Sequence, residues 1–283
     1  MDCSILETRG LTKFYGKHRG IQGVDLTVEK GEIFGLLGPN GSGKTTLIRL
    51  LLDLIRPTAG EAHLFGMNCH ESHLDIMERL GYVPGDVAVY DSLTGNEFLD
   101  YCASFHKASY PQHKTSLAKR LNIDLTRKLK DCSKGMKQKV MIVQALMHNA
   151  DLLILDEPTS GLDPLAQRLL NETLFISSHI LPEVEKVCGR VGIIKEGRLA
   201  AIERVGELGS KRLKTLTVRF AKPVPSSEFD VDGVIQVEEK GHQYVLSLTE
   251  NVNPILKVLS RHTVMDISLH DADLEDVFMQ YYA

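Results

Sequence analysis

A glycine-rich loop near the start of the chain joins an apolar segment to a helical pattern. It spells Gly-Pro-Asn-Gly-Ser-Gly-Lys-Thr-Thr over residues 38–46. Residues 33–37 before it are apolar enough for a buried strand, and leucines after it recur at helical spacing from Leu47 to Leu54. Strand, loop and helix in this order are the setting that the phosphate-binding pattern G-x-x-x-x-G-K-[ST] requires. The sequence therefore predicts a site for a chain of phosphates.

Each residue type in this loop has a physical reason to be there. Gly41 and Gly43 let the backbone curl so that several N–H groups point into one concavity. The helix start adds partial positive charge, Lys44 reaches the β- and γ-phosphates, and the Thr45 hydroxyl ligates Mg²⁺. A plain glycine turn is the alternative interpretation. The residues predicted to contact the nucleotide are Gly38, Pro39, Asn40, Gly41, Ser42, Gly43, Lys44, Thr45 and Thr46.

Composition limits the class of protein. A chain of 283 residues with 43% hydrophobic and 25% charged residues predicts one larger and one smaller globular domain. No apolar run approaches the roughly 18 residues that span a bilayer, so any membrane-spanning helices would belong to another chain. The formal charge of −4 argues against a nucleic-acid partner. Five dispersed cysteines without a C-x-x-C pair indicate reduced thiols in a cytosolic protein rather than a metal site.

The chain changes character twice, which predicts its domains. Residues 1–210 hold the phosphate loop and several buried strands, with a helical subdomain over about 88–149. Residues 211–283 alternate apolar and polar positions like half-exposed strands, and predict a small α+β domain that ends in a helix over 273–282. Three helix starts are predicted from capping residues. They are the capping box Thr94-Gly95-Asn96-Glu97, the N-cap Ser133, and Asn253 as N-cap with Pro254 at the first helical position.

Two adjacent acids end the buried run 151–155. Asp156 is predicted to hold Mg²⁺ through its water shell, and Glu157 to orient and deprotonate the attacking water. Two surface acids at the end of a strand are the alternative interpretation. Because the chain has no Asn-Lys-x-Asp motif for reading guanine, a GTPase is disfavoured relative to an ATPase.

At this point the chain resembles the nucleotide-binding subunit of ABC transporters over residues 1 to about 205. The run Cys132 to Gln138 resembles the ABC signature sequence and stands before the strand that ends in Asp156. It departs from the usual pattern at Cys132, Lys134 and Met136, but it keeps Ser133 and Gly135. The resemblance implies that Ser133 and Gly135 bind the γ-phosphate of ATP held by the opposite subunit. It therefore implies a head-to-tail dimer with a second copy or a homologue.

Three further matches follow from the same resemblance. Tyr15 resembles the aromatic residue that stacks on adenine, although a tyrosine there is also compatible with a core position. The run Ser160-Gly161-Leu162-Asp163 resembles the loop that reaches across the dimer, which makes Asp163 a nucleotide-site residue. His179, after Ser177 and Ser178, resembles the switch histidine that contacts the γ-phosphate, and a structural histidine is the alternative.

The chain departs from the family at two places. Where the family has a glutamine after Tyr-Val-Pro, this chain has Gly85 followed by Asp86, so Asp86 is a candidate replacement as a metal ligand. The span from Asp163 to His179 is also short, because it must contain both the connection back along the sheet and the next parallel strand. Such a connection usually takes a dozen or more residues. We therefore predict that a segment is missing near 171–175, and that an unbroken helix, turn and strand over 164–178 would rule this out.

Taken together, the motifs predict an α/β fold. It comprises a P-loop NTPase core of ABC type, with a mixed sheet, flanking helices and a helical subdomain, and a small C-terminal α+β domain. The resemblance implies an ATPase that uses ATP and Mg²⁺ to power export through separate transmembrane permease subunits, from a peripheral position at the cytoplasmic face of the membrane. The end of the chain, 271–278, resembles the extension of drug-export ABC ATPases. A soluble ABC-type ATPase of translation, repair or cluster assembly, and a regulatory ATP-binding module, are the alternatives.

Overall fold

The computed structural model describes residues 4–86, 88–106, 111–158, 173–206, 214–249 and 251–271. Contacts within the chain divide it into two units, Met1–Glu203 and Arg204–Ala283. The domain boundary predicted at 210/211 lies a few residues further on. Among the described helices, none is both long enough and apolar enough to cross a bilayer.

The first unit contains ten strands and six α-helices within the described ranges. In chain order these are β1 (Ser4–Tyr15), β2 (His18–Glu29), β3 (Ile33–Leu37), α1 (Lys44–Leu51), β4 (Ala59–Leu64), β5 (Met67–Asn68), α2 (His73–Met77), β6 (Leu80–Val83), α3 (Gly95–Ala103), α4 (Pro111–Arg120), α5 (Lys134–Leu146), β7 (Leu152–Asp156), β8 (Thr173–Ser178), α6 (Leu181–Glu185), β9 (Arg190–Lys195) and β10 (Arg198–Arg204).

These strands form two sheets. One has the order β2-β1-β4-β5 and is antiparallel, and the other has the order β10-β9-β3-β8-β7-β6. In the second sheet β9, β3, β8, β7 and β6 pair in parallel. Every residue of β7 and β8 is buried, which explains why neither sequence alternates apolar and polar residues: positions 152–155 and 174–176 are continuously apolar.

The parallel order places the candidate site. Because β3, β8 and β7 are neighbours, their carboxyl ends meet at one edge of the sheet. The loop 38–46 follows β3, Glu157 follows β7, and His179 follows β8. Three segments that are far apart in sequence are therefore brought to one edge.

Helix α1 packs into the core that the two sheets share. Leu47, Ile48, Leu50 and Leu51 are buried together with residues of β1, β3 and β7. The predicted continuation of the apolar stripe to Leu54 is wrong, because α1 ends at Leu51 and Leu54 lies beyond it, 61% exposed. The chain turns before it can present Leu54 to the core.

Three helices, α3 to α5, make up the described part of the predicted helical subdomain. Thr94 caps α3 by accepting from Glu97 N, and the Glu97 carboxylate accepts from Thr94 N, so the predicted capping box is present. Ser133 caps α5 by accepting from Met136 N at 3.3 Å. Both helix starts are thus encoded locally.

A buried histidine joins this subdomain to the sheet. The ring of His148 is 4% exposed, stacks on His106 with centroids 4.2 Å apart, and has Nε2 3.2 Å from the Leu80 carbonyl oxygen. Burial, and secondarily His106, lower the pKa of His148 from 6.5 to about 4. The folded state therefore keeps His148 neutral where the unfolded chain would protonate it.

This difference predicts acid sensitivity. The stability that a neutral His148 permits is complete above pH 6.5 and is lost as the pH falls toward 4. Between pH 7 and 5 the loss from this residue is about 2 kcal/mol of unfolding free energy. We expect the unfolding free energy of His148→Gln, measured by urea unfolding, to fall by about that much less than the wild-type value between pH 7 and 5. Equal losses in the two proteins would contradict the assignment.

The second unit is a four-stranded sheet with one α-helix among its described residues. Its elements are β11 (Lys214–Phe220), β12 (Val234–Lys240), β13 (Gln243–Leu248), α7 (Asn253–Leu259) and β14 (Val264–Asp271). The strand order is β12-β13-β11-β14, with antiparallel pairing throughout. The predicted closing helix, 273–282, lies outside the described residues.

One helix start in this unit differs from the prediction. Val252, not Asn253, occupies the N-cap position of α7. Pro254 is therefore the second residue of the helix and not the first. The side chain of Asn251 accepts from Asn253 N at 3.2 Å. The local turn is therefore made by the earlier asparagine, and Asn253 begins the helix.

Candidate nucleotide-binding and active site

The loop between β3 and α1 is shaped by close backbone contacts. Gly43 has φ 111° and forms the N-cap of α1. A Cβ atom added at Gly43 would lie 2.7 Å from Ile21 Cγ2 and 2.8 Å from the Gly20 carbonyl oxygen, so no larger residue fits. Gly38 N donates to the Ser178 carbonyl oxygen at 3.3 Å, which ties the loop to the end of β8. The loop thus leads directly into a helix N-terminus.

Lys44 is the first residue of α1 and is almost fully buried, with 3% exposure. Its Nζ atom donates to the carbonyl oxygens of Gly38 at 2.7 Å and Pro39 at 3.1 Å, and lies 3.0 Å from Glu157 Oε1. An ammonium group has three donors, so all three are engaged. The positive charge is fixed at the point where phosphates are expected.

Ser42 also fits an anion. Its hydroxyl oxygen is buried and has no hydrogen-bond partner among the described residues. Buried polar groups are rarely left unpaired, so this hydroxyl is a donor available for a bound group. Together with the start of α1, the Lys44 ammonium and the loop backbone, it makes a cradle that suits phosphate oxygens.

A cavity of about 390 Å³ lies over this loop. Tyr15, at the end of β1, lines it with its ring 43% exposed, as a stacking surface for a base requires. Arg19 also lines the cavity and pairs with Glu196 at 3.1 Å, but no motif in the sequence indicates it. The described lining residues are Tyr15, Arg19, Gly20, Asn40, Gly41, Gly43, Lys44, Thr45, Thr46 and Glu157.

The predicted catalytic acid lines this cavity, and the predicted histidine contacts that acid. Glu157 carries φ 45°, a left-handed backbone that is uncommon outside glycine. One of its carboxylate oxygens contacts Lys44, and the other lies 3.4 Å from His179 Nδ1. Glu157 therefore contacts both Lys44 and His179, and the three residues come from three separate segments of the chain.

A second cavity, of about 410 Å³, adjoins the first through Thr45 and Glu157. Asp156 and Asp86 line it together with Thr45. A Cβ atom at Gly85 would lie 2.8 Å from the Asp156 carbonyl oxygen, so glycine lets this loop approach β7 closely. The glutamine of the family pattern would not fit this backbone, and Asp86 is the acid that reaches the cavity instead. The remaining lining residues are Arg49, Tyr82, Pro84, Gly85 and Lys134.

The donor set suits Mg²⁺ bound together with phosphates. The Thr45 hydroxyl and the carboxylates of Asp156 and Asp86 are hard oxygen ligands. Within the described ranges, no three His, Cys, Asp or Glu side chains are grouped to hold a metal ion by themselves. Mg²⁺ here would therefore depend on phosphate oxygens and water in addition to Thr45 and Asp156.

The predicted signature residues lie apart from the Lys44 cavity. Ser133 and Gly135 are exposed at the start of α5, and a Cβ atom at Gly135 would meet nothing within 4 Å. Neither residue lines the cavity over the loop 38–46. Neither residue lines the second cavity either, although Lys134 between them does. Asp163 and the rest of the predicted cross-dimer loop, 160–163, lie outside the described residues.

Comparison with known proteins gives consistent matches. The sequence model of the family described as "ABC transporter" matches residues 21–160. The bacitracin transport ATP-binding protein BcrA of Bacillus licheniformis is 35% identical over 98% of this chain and 97% of its own length. The fluoroquinolones export ATP-binding protein of Mycobacterium tuberculosis is 31% identical over 98% of this chain and 92% of its own length.

The fold agrees with the sequence match. A solved structure described as the ATP binding subunit of an ABC transporter is 30% identical, has a TM-score of 0.65, and covers 72% of this chain and 91% of its own. The predicted α/β P-loop core of ABC type is therefore confirmed. This chain belongs to the family of ABC transporter ATP-binding subunits, which are ATPases.

Proposed function

We propose that this chain powers the export of antimicrobial or similar compounds through separate membrane-spanning subunits. The observation that carries the proposal is the length of the similarity. Relatives named for bacitracin transport and fluoroquinolones export match 98% of the chain, so the similarity includes the second unit as well as the ATP-binding core. Its place would be the cytoplasmic face of the cell membrane, as a peripheral subunit.

ATP would be held between two copies of the chain, or a copy and a homologue, arranged head to tail. The cradle around Lys44 would hold the phosphates from one side, and Ser133 and Gly135 of a second copy would contact the γ-phosphate from the other. Two features support this arrangement. Ser133 and Gly135 are exposed, and they do not line the Lys44 cavity of their own chain. A γ-phosphate that contacts both copies stabilises the closed state selectively.

The contacts of Glu157 suggest how binding prepares the chemistry. Because Lys44 has no unused donor, a phosphate oxygen would have to replace one of its three partners, and Glu157 Oε1 is the partner on a side chain that can move. Replacement releases the carboxylate beside His179, where it accepts the proton of the attacking water. Mg²⁺, held by Thr45 and through water by Asp156, would neutralise the charge on the phosphates. Loss of the γ-phosphate then removes the bridge between the copies.

The membrane subunit would dock on a group of exposed aromatic residues. Tyr90, Tyr101 and Phe105, here called the aromatic patch, are 57%, 47% and 70% exposed. Their rings pack edge to face, with centroids 5.7 Å apart for Tyr90–Tyr101 and 5.1 Å for Tyr101–Phe105. Exposed, ordered aromatic groups are typical anchors of protein interfaces. The patch follows Asp86 closely in sequence, so a shift of that loop would be passed to it.

We expect Tyr101→Ala to weaken binding to the membrane subunit by about 30-fold, because an interface anchor contributes about 2 kcal/mol. ATP hydrolysis by the isolated chain should stay within about twofold, because Tyr101 does not line either cavity over the phosphate loop. Leu74→Ala, at another exposed apolar side chain, is the matched control. Equal binding of all three proteins in a pull-down with the membrane subunit would contradict this docking site.

Transport itself is tested in inverted membrane vesicles that contain the chain and its membrane subunit. ATP should drive accumulation of a labelled amphipathic antimicrobial compound, and vesicles with Lys44→Ala should not accumulate it. ATP hydrolysis without any accumulation, over a panel of such compounds, would contradict export as the function.

A further inference from the structure

A buried serine connects the two adjacent acids of the active site. Ser177 lies on β8 directly beside Asp156 of β7 in the parallel register, and it is fully buried. Its hydroxyl oxygen is 2.6 Å from Asp156 Oδ1 and 3.0 Å from Glu157 N. The sequence alone marks Ser177 only as a neighbour of His179, with no role of its own.

The direction of these hydrogen bonds is fixed by chemistry. The backbone N–H of Glu157 can only donate, so the Ser177 oxygen accepts from it. The single hydroxyl proton of Ser177 is then directed to Asp156 Oδ1, which can only accept while the carboxylate is ionised. One hydroxyl therefore sets the orientation of the Asp156 carboxylate and holds the backbone of Glu157.

The second of these contacts bears on the unusual backbone at Glu157. A left-handed φ in a residue with a side chain costs of order 1 kcal/mol, and surrounding contacts must offset that cost. Glu157 N lies within hydrogen-bond distance of both the hydroxyl and the carbonyl oxygen of Ser177. In this conformation the Glu157 carboxylate reaches Lys44 and His179. A change at Ser177 should thus be felt at the catalytic end of Glu157.

We propose that Ser177 is a positioning residue that aligns Asp156 for Mg²⁺ and Glu157 for the attacking water. This rests on the proposed function, because it assumes that both acids act in ATP hydrolysis. The neighbouring Ser178 provides a control within the same strand. Its hydroxyl accepts from Ile180 N at 3.0 Å and contacts neither acid.

Ser177→Ala tests the proposal. We expect kcat to fall about 10- to 100-fold, as happens when a group that orients a metal ligand is removed, and KM for ATP in the presence of Mg²⁺ to rise by up to about tenfold. Ser178→Ala should leave both values within about twofold. Binding is measured separately from turnover as the affinity for a non-hydrolysable ATP analogue, once in the presence of Mg²⁺ and once in the presence of EDTA. The gain from Mg²⁺ should be about tenfold smaller in Ser177→Ala than in the wild type.

ATP hydrolysis by the wild type distinguishes a failure of the proposed function from a failure of the role proposed for Ser177. Absent turnover in the wild type would overturn the proposed function. Wild-type turnover together with an unchanged kcat and an unchanged Mg²⁺ effect in Ser177→Ala would overturn only the role of Ser177. Should the alanine variant melt at a lower temperature, Ser177→Cys, close in size but a weaker donor, replaces it. A smaller loss in the same direction is expected there, and wild-type values in a stable cysteine variant would also overturn the proposal.

Discussion

Lys44→Ala should lower the affinity for ATP by about 100-fold or more and abolish measurable hydrolysis. The ammonium group is buried and fully oriented by the Gly38 and Pro39 carbonyl oxygens, so its bond to a phosphate requires little reorganisation. A charged hydrogen bond of this kind contributes about 3 kcal/mol, which corresponds to about a hundredfold change in affinity. Titration with a fluorescent ATP analogue measures it directly.

Lys240→Ala is the matched control, because Lys240 is an exposed lysine in the second unit that pairs only with Glu238 among the described contacts. It should bind ATP like the wild type. Affinity in Lys44→Ala within about threefold of the control would mean that the loop 38–46 does not hold the phosphates. Melting curves of all three proteins without nucleotide check that the alanine variant is folded.

Glu157→Gln should lower turnover by about a thousandfold while ATP binding is retained or strengthened. The amide cannot accept the proton of the attacking water, and it no longer forms an ion pair with Lys44 that a phosphate must replace. Single-turnover hydrolysis and nucleotide titration separate the two effects. Glu238→Gln in the second unit serves as the control.

Glu157→Asp adds a sharper comparison. It keeps the negative charge but shortens the side chain, so the contact with Lys44 Nζ at 3.0 Å should be lost. If the Glu157 carboxylate limits ATP binding by occupying Lys44, both Glu157→Asp and Glu157→Gln should bind ATP more tightly than the wild type. If it limits binding only by repelling the negative phosphates, Glu157→Gln alone should bind ATP more tightly. Wild-type turnover in Glu157→Gln would rule out Glu157 as the base.

Local sequence was sufficient for much of the site. The strand, glycine loop and helix are neighbours along the chain, so their order in the sequence is their order in space. The caps Thr94 and Ser133 each bond to a backbone N–H three residues later, and such short-range contacts are visible in a pattern. The continuous apolar run of β7 likewise predicted a strand buried on both faces.

Residues that act through tertiary contacts were not predictable in this way. Arg19 lines the cavity because β2 lies beside the loop, and Lys134 lines the second cavity because α5 packs nearby. The role of Gly85 is also spatial, since its missing side chain is explained by the Asp156 carbonyl oxygen on another strand. Ser177 contacts Asp156 across 21 positions of sequence. No local periodicity or motif spacing in the sequence marks any of these contacts.

The short connection between β7 and β8 stays a prediction. Strand β8 begins at Thr173 and pairs in parallel with β7, but residues 159–172 lie outside the described part. The alignment with the Bacillus licheniformis relative extends over 306 positions, more than the 283 residues of this chain. The relative therefore has residues without a counterpart here, as a missing segment requires.

The central claim is that one ATP joins two copies of the chain through Lys44 on one side and Ser133 with Gly135 on the other. Light scattering of Glu157→Gln with and without saturating ATP tests it most directly. We predict that ATP doubles the mass, that ADP does not, and that adding Lys44→Ala to the same chain prevents the doubling. A single-chain mass with saturating ATP, also when the membrane subunit is supplied, would contradict the account.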